Sequence, residues 1–132
     1  MKKYINLFKV TSVTTSILFI YLTFQLLFMS DAFVSDLGQQ PSEATSVLSH
    51  RVAMFMLGIS VLMFGARNLP QSKARDVICF ATGITLFGLS CMGWYEFTRG
   101  TVNSSIFIAI GIETILWILF MVILLLRNNT KI

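Results

Sequence analysis

The sequence predicts an all-α, polytopic integral membrane protein, a four-transmembrane-helix bundle with both termini cytoplasmic. Three observations carry this expectation. Of 132 residues, 55% are hydrophobic and only 12% are charged, about half the charged share of a soluble domain. The apolar residues form four blocks, and a helix needs about 20 mainly apolar residues to cross the hydrocarbon layer. Basic residues then flank the blocks on alternate sides, as expected where Lys and Arg mark the cytoplasmic face.

The first block, Val10–Met29, predicts a helix over residues 9–29. Lys2, Lys3 and Lys9 precede it, and Ser30-Asp31-Ala32 would serve as a cleavage site if residues 1–32 were a secretory signal. A signal core runs to about 7–15 residues, shorter than this block, so an uncleaved helix is expected; cleavage would leave three helices. The second block, Val52–Ala66, is short as it stands. Pro41-Ser42-Glu43 reads as a helix start, with proline pre-set for the first turn, which extends the helix to 42–66. The third block, Val77–Trp94, predicts residues 76–97, and the fourth, Ile106–Leu126, predicts 105–127. Continuous helices are expected because backbone facing lipid must satisfy its own hydrogen bonds. The longest connection, Ser30–Ser49, leaves no room for a soluble domain, so residues 1–132 read as a single membrane domain.

Orientation follows from the cations. Lys2, Lys3 and Lys9, then Arg67, Lys73 and Arg75 in "RNLPQSKARD", then Arg127 and Lys131 all fall on the side of the termini. Only Arg51 and Arg99 fall on the other. The net charge of +4 is thus spread over three membrane-flanking segments. It suits topology and anionic headgroups and gives no reason to expect nucleic acid as a partner. Asp31, Asp36, Glu43 and Glu96 lie in the outer connections. Trp94 and Tyr95, and Tyr4 at the other side, fit interfacial aromatic belts.

Cys79 and Cys91 lie twelve residues apart in one predicted helix, a rise of about 18 Å. A disulfide spans about 6 Å between Cα atoms, so they cannot pair within the chain. With His50 as the single histidine, no metal or haem pattern is present, and no catalytic or cofactor-binding residue is readable.

Small and polar residues gather on the packed faces of membrane helices. Helical spacing gives one such stripe per segment. They are Thr14, Leu18, Tyr21 and Gln25 on the first, Arg51, Phe55, Gly58, Leu62 and Gly65 on the second, Cys79, Gly83, Leu86, Ser90 and Gly93 on the third, and Ala109, Glu113 and Trp117 on the fourth. Plain packing accounts for the glycines, the cysteines and the methionines.

Glu113 stands apart, a carboxylate inside the run "IGIETILWI". At 1.5 Å per residue it lies about 10 Å below the start of its apolar block, and Gln25 about 6 Å below the end of the first. Arg51 falls at a compatible depth with a long side chain, and His50 is its neighbour, turned some 100° around the helix. A charge at that depth costs a few kcal/mol. Either Glu113 stays protonated and donates a hydrogen bond, or Arg51 pairs with it while Gln25 or Tyr21 fills the remaining hydrogen bonds. The expected intramembrane polar cluster is therefore Glu113, Arg51, Gln25, Tyr21 and His50. It would serve as a clamp on helix order, as a proton relay or the floor of an outward pocket, or as a contact for a partner's helix. The connections holding Asp31, Asp36, Glu43, Glu96 and Arg99 read as solvated loops that could complete a pocket. Asn103-Ser104-Ser105 is formally a glycosylation sequon.

The four-helix layout and the stretch "HRVAMFMLGISVLMFGARNLPQSKARDVICFATGITLF" (His50 to Phe87) resemble the small four-helix bacterial membrane proteins of the broad DoxX-like group. The shared features are an Arg at the start of the second helix, glycine-spaced apolar helices and a short basic connection. That resemblance implies a bacterial cytoplasmic membrane and an association with quinone-linked oxidoreductases, without assigning a cofactor residue. The residues themselves point to a small accessory or binding component, partnered by the bilayer and by another membrane protein or further copies of itself. The alternatives are a proton-coupled carrier or channel subunit built on Glu113 and Arg51, and the oxidoreductase component that the resemblance implies. Against a standalone transporter stand the lack of inverted repeats and of proline-broken helices.

Overall fold

A computed structural model describes the backbone of residues 2–128 and the side chains of residues 7–127. The side chains of Lys2, Lys3 and Tyr4, and Lys131 altogether, lie outside the described residues. The described chain is helical, without strands: α1 (Lys2–Phe28), α2 (Ser30–Asp36), α3 (Glu43–Ala66), α4 (Lys73–Thr98) and α5 (Ile106–Asn128). Four of these are long and apolar enough to cross a membrane: α1, α3, α4 and α5. α1 starts at Lys2 rather than near residue 9, and α4 at Lys73 rather than 76. Polar first turns are stable as helix once they are capped. Ser72 caps α4 by accepting from the Arg75 amide at 3.3 Å.

Ser42 caps α3 in a reciprocal box: its hydroxyl accepts from the Thr45 amide at 3.2 Å, and the Thr45 hydroxyl accepts from the Ser42 amide at 2.8 Å. Pro41 therefore precedes the cap and does not occupy the first turn. The Ser30–Ser49 connection is not all loop. Its first part forms α2, which ends at Gly38 (φ 84°) in a Schellman closure, with the Gly38 amide on the Ser35 carbonyl at 2.9 Å and Gln39 on Val34 at 3.1 Å. Gly100 (φ 72°) ends α4 the same way, with Thr101 on the Glu96 carbonyl at 3.1 Å. A left-handed backbone favours glycine at both points.

Two antiparallel hairpins make the bundle. In the first, α1 lies against α3, joined by serines: the Ser16 hydroxyl donates to the Ser60 carbonyl, and the Ser60 hydroxyl to the Ser16 carbonyl, both at 2.9 Å. Two turns along, Thr23 reaches the Ala53 carbonyl at 3.3 Å. In the second, α4 lies against α5. Gly83 and Gly93 let the backbones approach, since a Cβ at Gly93 would stand 2.8 Å from the Ile110 Cγ1. Ser90 and Thr114 share a hydroxyl contact of 2.9 Å. The hairpins close on one another at the end that carries the chain termini. There Phe8, Met63, Ala66, Cys79, Phe120 and Ile123 join one buried cluster.

The stripe expected on the third apolar segment, Cys79 to Gly93, is buried throughout along α4. The stripe expected on the second is not. Arg51, Phe55, Gly58, Leu62 and Gly65 are all exposed on α3, Phe55 at 75%. The packed face of α3 is instead Ser49, Ala53, Ser60, Met63 and Ala66. Serine and alanine admit a second backbone about as closely as glycine, and the serines add hydrogen bonds that glycine lacks. On α1 the buried residues include Thr11, Thr15, Phe19 and Thr23, while Thr14 and Tyr21 are exposed. Ala109, Glu113 and Trp117 flank the packed side of α5, half-buried.

Arg75 departs furthest from expectation. Counted from sequence among the headgroup-facing cations, it is 1% exposed in the first turn of α4, its guanidinium carbon 4.8 Å from the Phe8 ring centre. Among the described residues its Nε and Nη1 have no hydrogen-bond partner, and neither do the buried hydroxyls of Thr11 and Ser12. The ring offsets part of the desolvation cost of the cation.

Two predictions follow from this packing. Gly93→Ala is expected to destabilise the protein by about 1–3 kcal/mol, the usual penalty of overpacking. Gly58→Ala, whose added carbon meets nothing within 4 Å, is expected to leave stability unchanged. Thermal unfolding in detergent compares them, and equal losses would put the exposed face of α3 in a contact. Arg75→Met keeps an unbranched stem over Phe8 and removes an uncompensated charge, so it is expected to melt at or above wild type. Arg75→Ala, which leaves a void, is expected to melt below it.

Candidate functional site

Away from the buried cluster, α1 and α5 diverge, and α2 lies across the gap. The result is a cavity of about 260 Å³. Its α1 wall is Leu18, Tyr21, Leu22 and Gln25, and its α5 wall runs from Ile106 through Ala109 and Ile112 to Glu113. Phe33, Asp36 and Leu37 of α2 close the end, beside Ser105. The lining is mostly apolar with a few polar groups, the usual make-up of a small-molecule site, and its volume is at the small end for one.

Each wall is positioned by local chemistry. The α2 lid is tied to the α4–α5 connection: the Asn103 amide side chain donates to the Asp36 carbonyl at 2.9 Å, the Ser105 hydroxyl to the same carbonyl at 2.7 Å, and the Asn103 backbone to Leu37 at 3.0 Å. The Gln39 side chain also donates to the Thr101 carbonyl. The asparagine of the formal sequon thus spends its side-chain nitrogen holding the lid. On α1, the Gln25 amide nitrogen donates to the Tyr21 hydroxyl one turn earlier, which leaves the amide oxygen as an acceptor.

Of the five residues expected to cluster, the structure brings three together: Glu113, Gln25 and Tyr21 share the cavity. Arg51 and His50 do not join them. Both are exposed on α3, and α3 supplies no residue to the cavity. The expected pairing of Glu113 with Arg51 is therefore absent among the described residues. The cause is rotation. Equal depth along two helices places side chains at one level, but α3 turns Ala53 and Ser49 towards α1, which carries Arg51 outwards. Among the described residues no hydrogen bond or ion pair engages Glu113. The ion pair that is made lies at the opposite end, where Arg127 of α5 meets Asp76 of α4 and reaches the Ser72 carbonyl at 3.4 Å.

Sequence reasoning missed the α2 wall. Its signal is legible in retrospect: Phe33, Val34 and Leu37 recur at helical spacing just before Gly38. Of the acids in the connections, Asp36 alone lines the cavity. Glu96 accepts from the Thr101 hydroxyl, and Asp31 and Glu43 flank a separate shallow depression beside Pro41. Cys79 is buried and Cys91 exposed, both as free thiols. Among the described residues, no group of three or more His, Cys, Asp or Glu side chains converges as a metal site would require.

These placements predict a null double-mutant cycle where the sequence alone suggests a coupled one. Glu113→Gln and Arg51→Gln are each expected to melt at or above wild type, with coupling within about 0.5 kcal/mol of zero. Asp76→Asn is expected to lose up to about 1 kcal/mol, as for other partly exposed pairs. Thermal unfolding of wild type, the two single variants, their double variant and Asp76→Asn checks this, and a coupled loss at 51 and 113 would contradict the arrangement of α3. Comparison of the chain with protein-family models, with curated proteins and with solved structures finds no match.

Proposed function

We propose that this chain is a small multi-pass protein of a bacterial cytoplasmic membrane, with both termini cytoplasmic, acting as a binding or accessory component whose ligand occupies the cleft between α1, α2 and α5. Four long apolar helices support the membrane reading, and the Lys and Arg distribution supports the orientation. In that orientation the cleft opens in the outer half of the bilayer, and α2 with the α4–α5 connection forms its outer rim.

One observation carries the binding reading. Glu113 lies two helical turns into a long apolar helix, engages no partner among the described residues and forms part of the wall of a cavity. An ionisable side chain at membrane depth marks a functional site by default. A clamp role would need a partner, and the clamp in this fold is the Asp76–Arg127 pair instead.

Native mass spectrometry of the protein released from its own membrane tests this. Wild type is expected to carry a bound small molecule, and Ala109→Trp, which fills the cleft from the α5 wall, is expected to lose it while melting near wild type. Identical spectra from the two proteins would remove the cleft as the ligand site.

A further inference from the structure

We propose that the cleft selects a small amphiphilic cation, an apolar body bearing one ammonium group that sits on the Glu113 carboxylate. The inference rests on the binding reading above and adds the chemical class of the ligand. Both carboxyl side chains that line the cleft come without a basic counterpart: Asp36 at the end of α2, and Glu113 about 10 Å along α5 from its start. No Lys, Arg or His contributes to the lining. An anionic amphiphile would meet two carboxylates without a counter-charge, and a neutral alcohol could offer Glu113 only a single uncharged donor.

An ammonium group answers both problems. It donates hydrogen bonds to Glu113 and to the amide oxygen of Gln25, whose nitrogen is already committed to Tyr21. The rings of Tyr21 and Phe33, which also line the cleft, add aromatic surface of the kind that attracts cations. Asp36 at the rim raises the local concentration of cations at the mouth. The remaining lining is aliphatic and suits a hydrocarbon body. The cavity of about 260 Å³ is at the small end for a ligand site, which suits a short-chain amphiphile such as the n-octylammonium ion.

Saturable binding of n-octylammonium, n-octanol and octanoate to the protein in phosphatidylcholine nanodiscs, with empty discs subtracted, tests the proposal. Octylammonium is expected to bind one per chain and at least about tenfold more tightly than octanol, the worth of one charge-assisted hydrogen bond. Octanoate is expected not to bind. Glu113→Gln should bring the ammonium down to the level of the alcohol, while Glu113→Asp keeps the preference and Ala109→Trp loses both ligands. Equal affinity for ammonium and alcohol in wild type would overturn the charge selectivity and leave the cleft as a neutral site. A preference that survives Glu113→Gln would overturn the role of Glu113. Saturable binding of none of the three would overturn the binding reading itself.

Discussion

In the bilayer proposed for this chain, helices this apolar would gain little by hiding from a solvent as apolar as themselves, and would associate where backbones approach closely and hydroxyls find hydrogen-bond partners. That constraint shapes every contact in the fold. Ser16 and Ser60 exchange hydrogen bonds across α1 and α3, and Ser90 and Thr114 share one hydroxyl–hydroxyl bond across α4 and α5. Each crossing is built on residues small enough to let the hydroxyls meet. Phe8, Phe19 and Phe120 fill the space that remains. Such bonds contribute about 0.6 kcal/mol each, up to about 2, which is modest alone and decisive when burial of apolar surface contributes little.

The same constraint explains why the molecule is closed at one end and open at the other. Bulky residues gather where the chain termini lie, and the Asp76–Arg127 pair joins α4 to α5 there. At the far end the connections are polar, and α2, packed on α1 and α3, is tied across the gap to the α4–α5 connection by hydrogen bonds from Asn103 and Ser105. The cleft therefore has its floor where α1 and α5 approach the core, and its rim in α2 and the α4–α5 connection.

Arg75 and Glu113 make an instructive pair of exceptions. Both are ionisable groups in long apolar helices, and neither has an ion-pair partner among the described residues. Arg75 is sealed, with an aromatic ring beside it and two guanidinium nitrogens without a partner among the described residues. Glu113 faces a cavity. A sealed charge serves packing at best, whereas one that lines a cavity can recognise a ligand. The chemical difference lies in access, not in the residue.

The four long helices were legible from composition and periodicity, because apolar block length and helix-start chemistry are local properties of the chain; the short α2 was not read. The α4 stripe from Cys79 to Gly93 was legible for the same reason. So was the singularity of Glu113, with Gln25 and Tyr21 at a matching depth. What the sequence could not decide was rotation. Arg51 and Glu113 share a level, yet α3 has two plausible small-residue faces, one with Gly58 and Gly65 and one with Ser49, Ala53 and Ser60. Only the partner helix chooses between them. α1 presents Ser16 and Thr23 and so selects the serine face, which turns Arg51 outwards and leaves the acid to the cleft. Hydropathy and depth are written along one helix; azimuth is a property of two helices in contact, and it was settled by the tertiary structure alone.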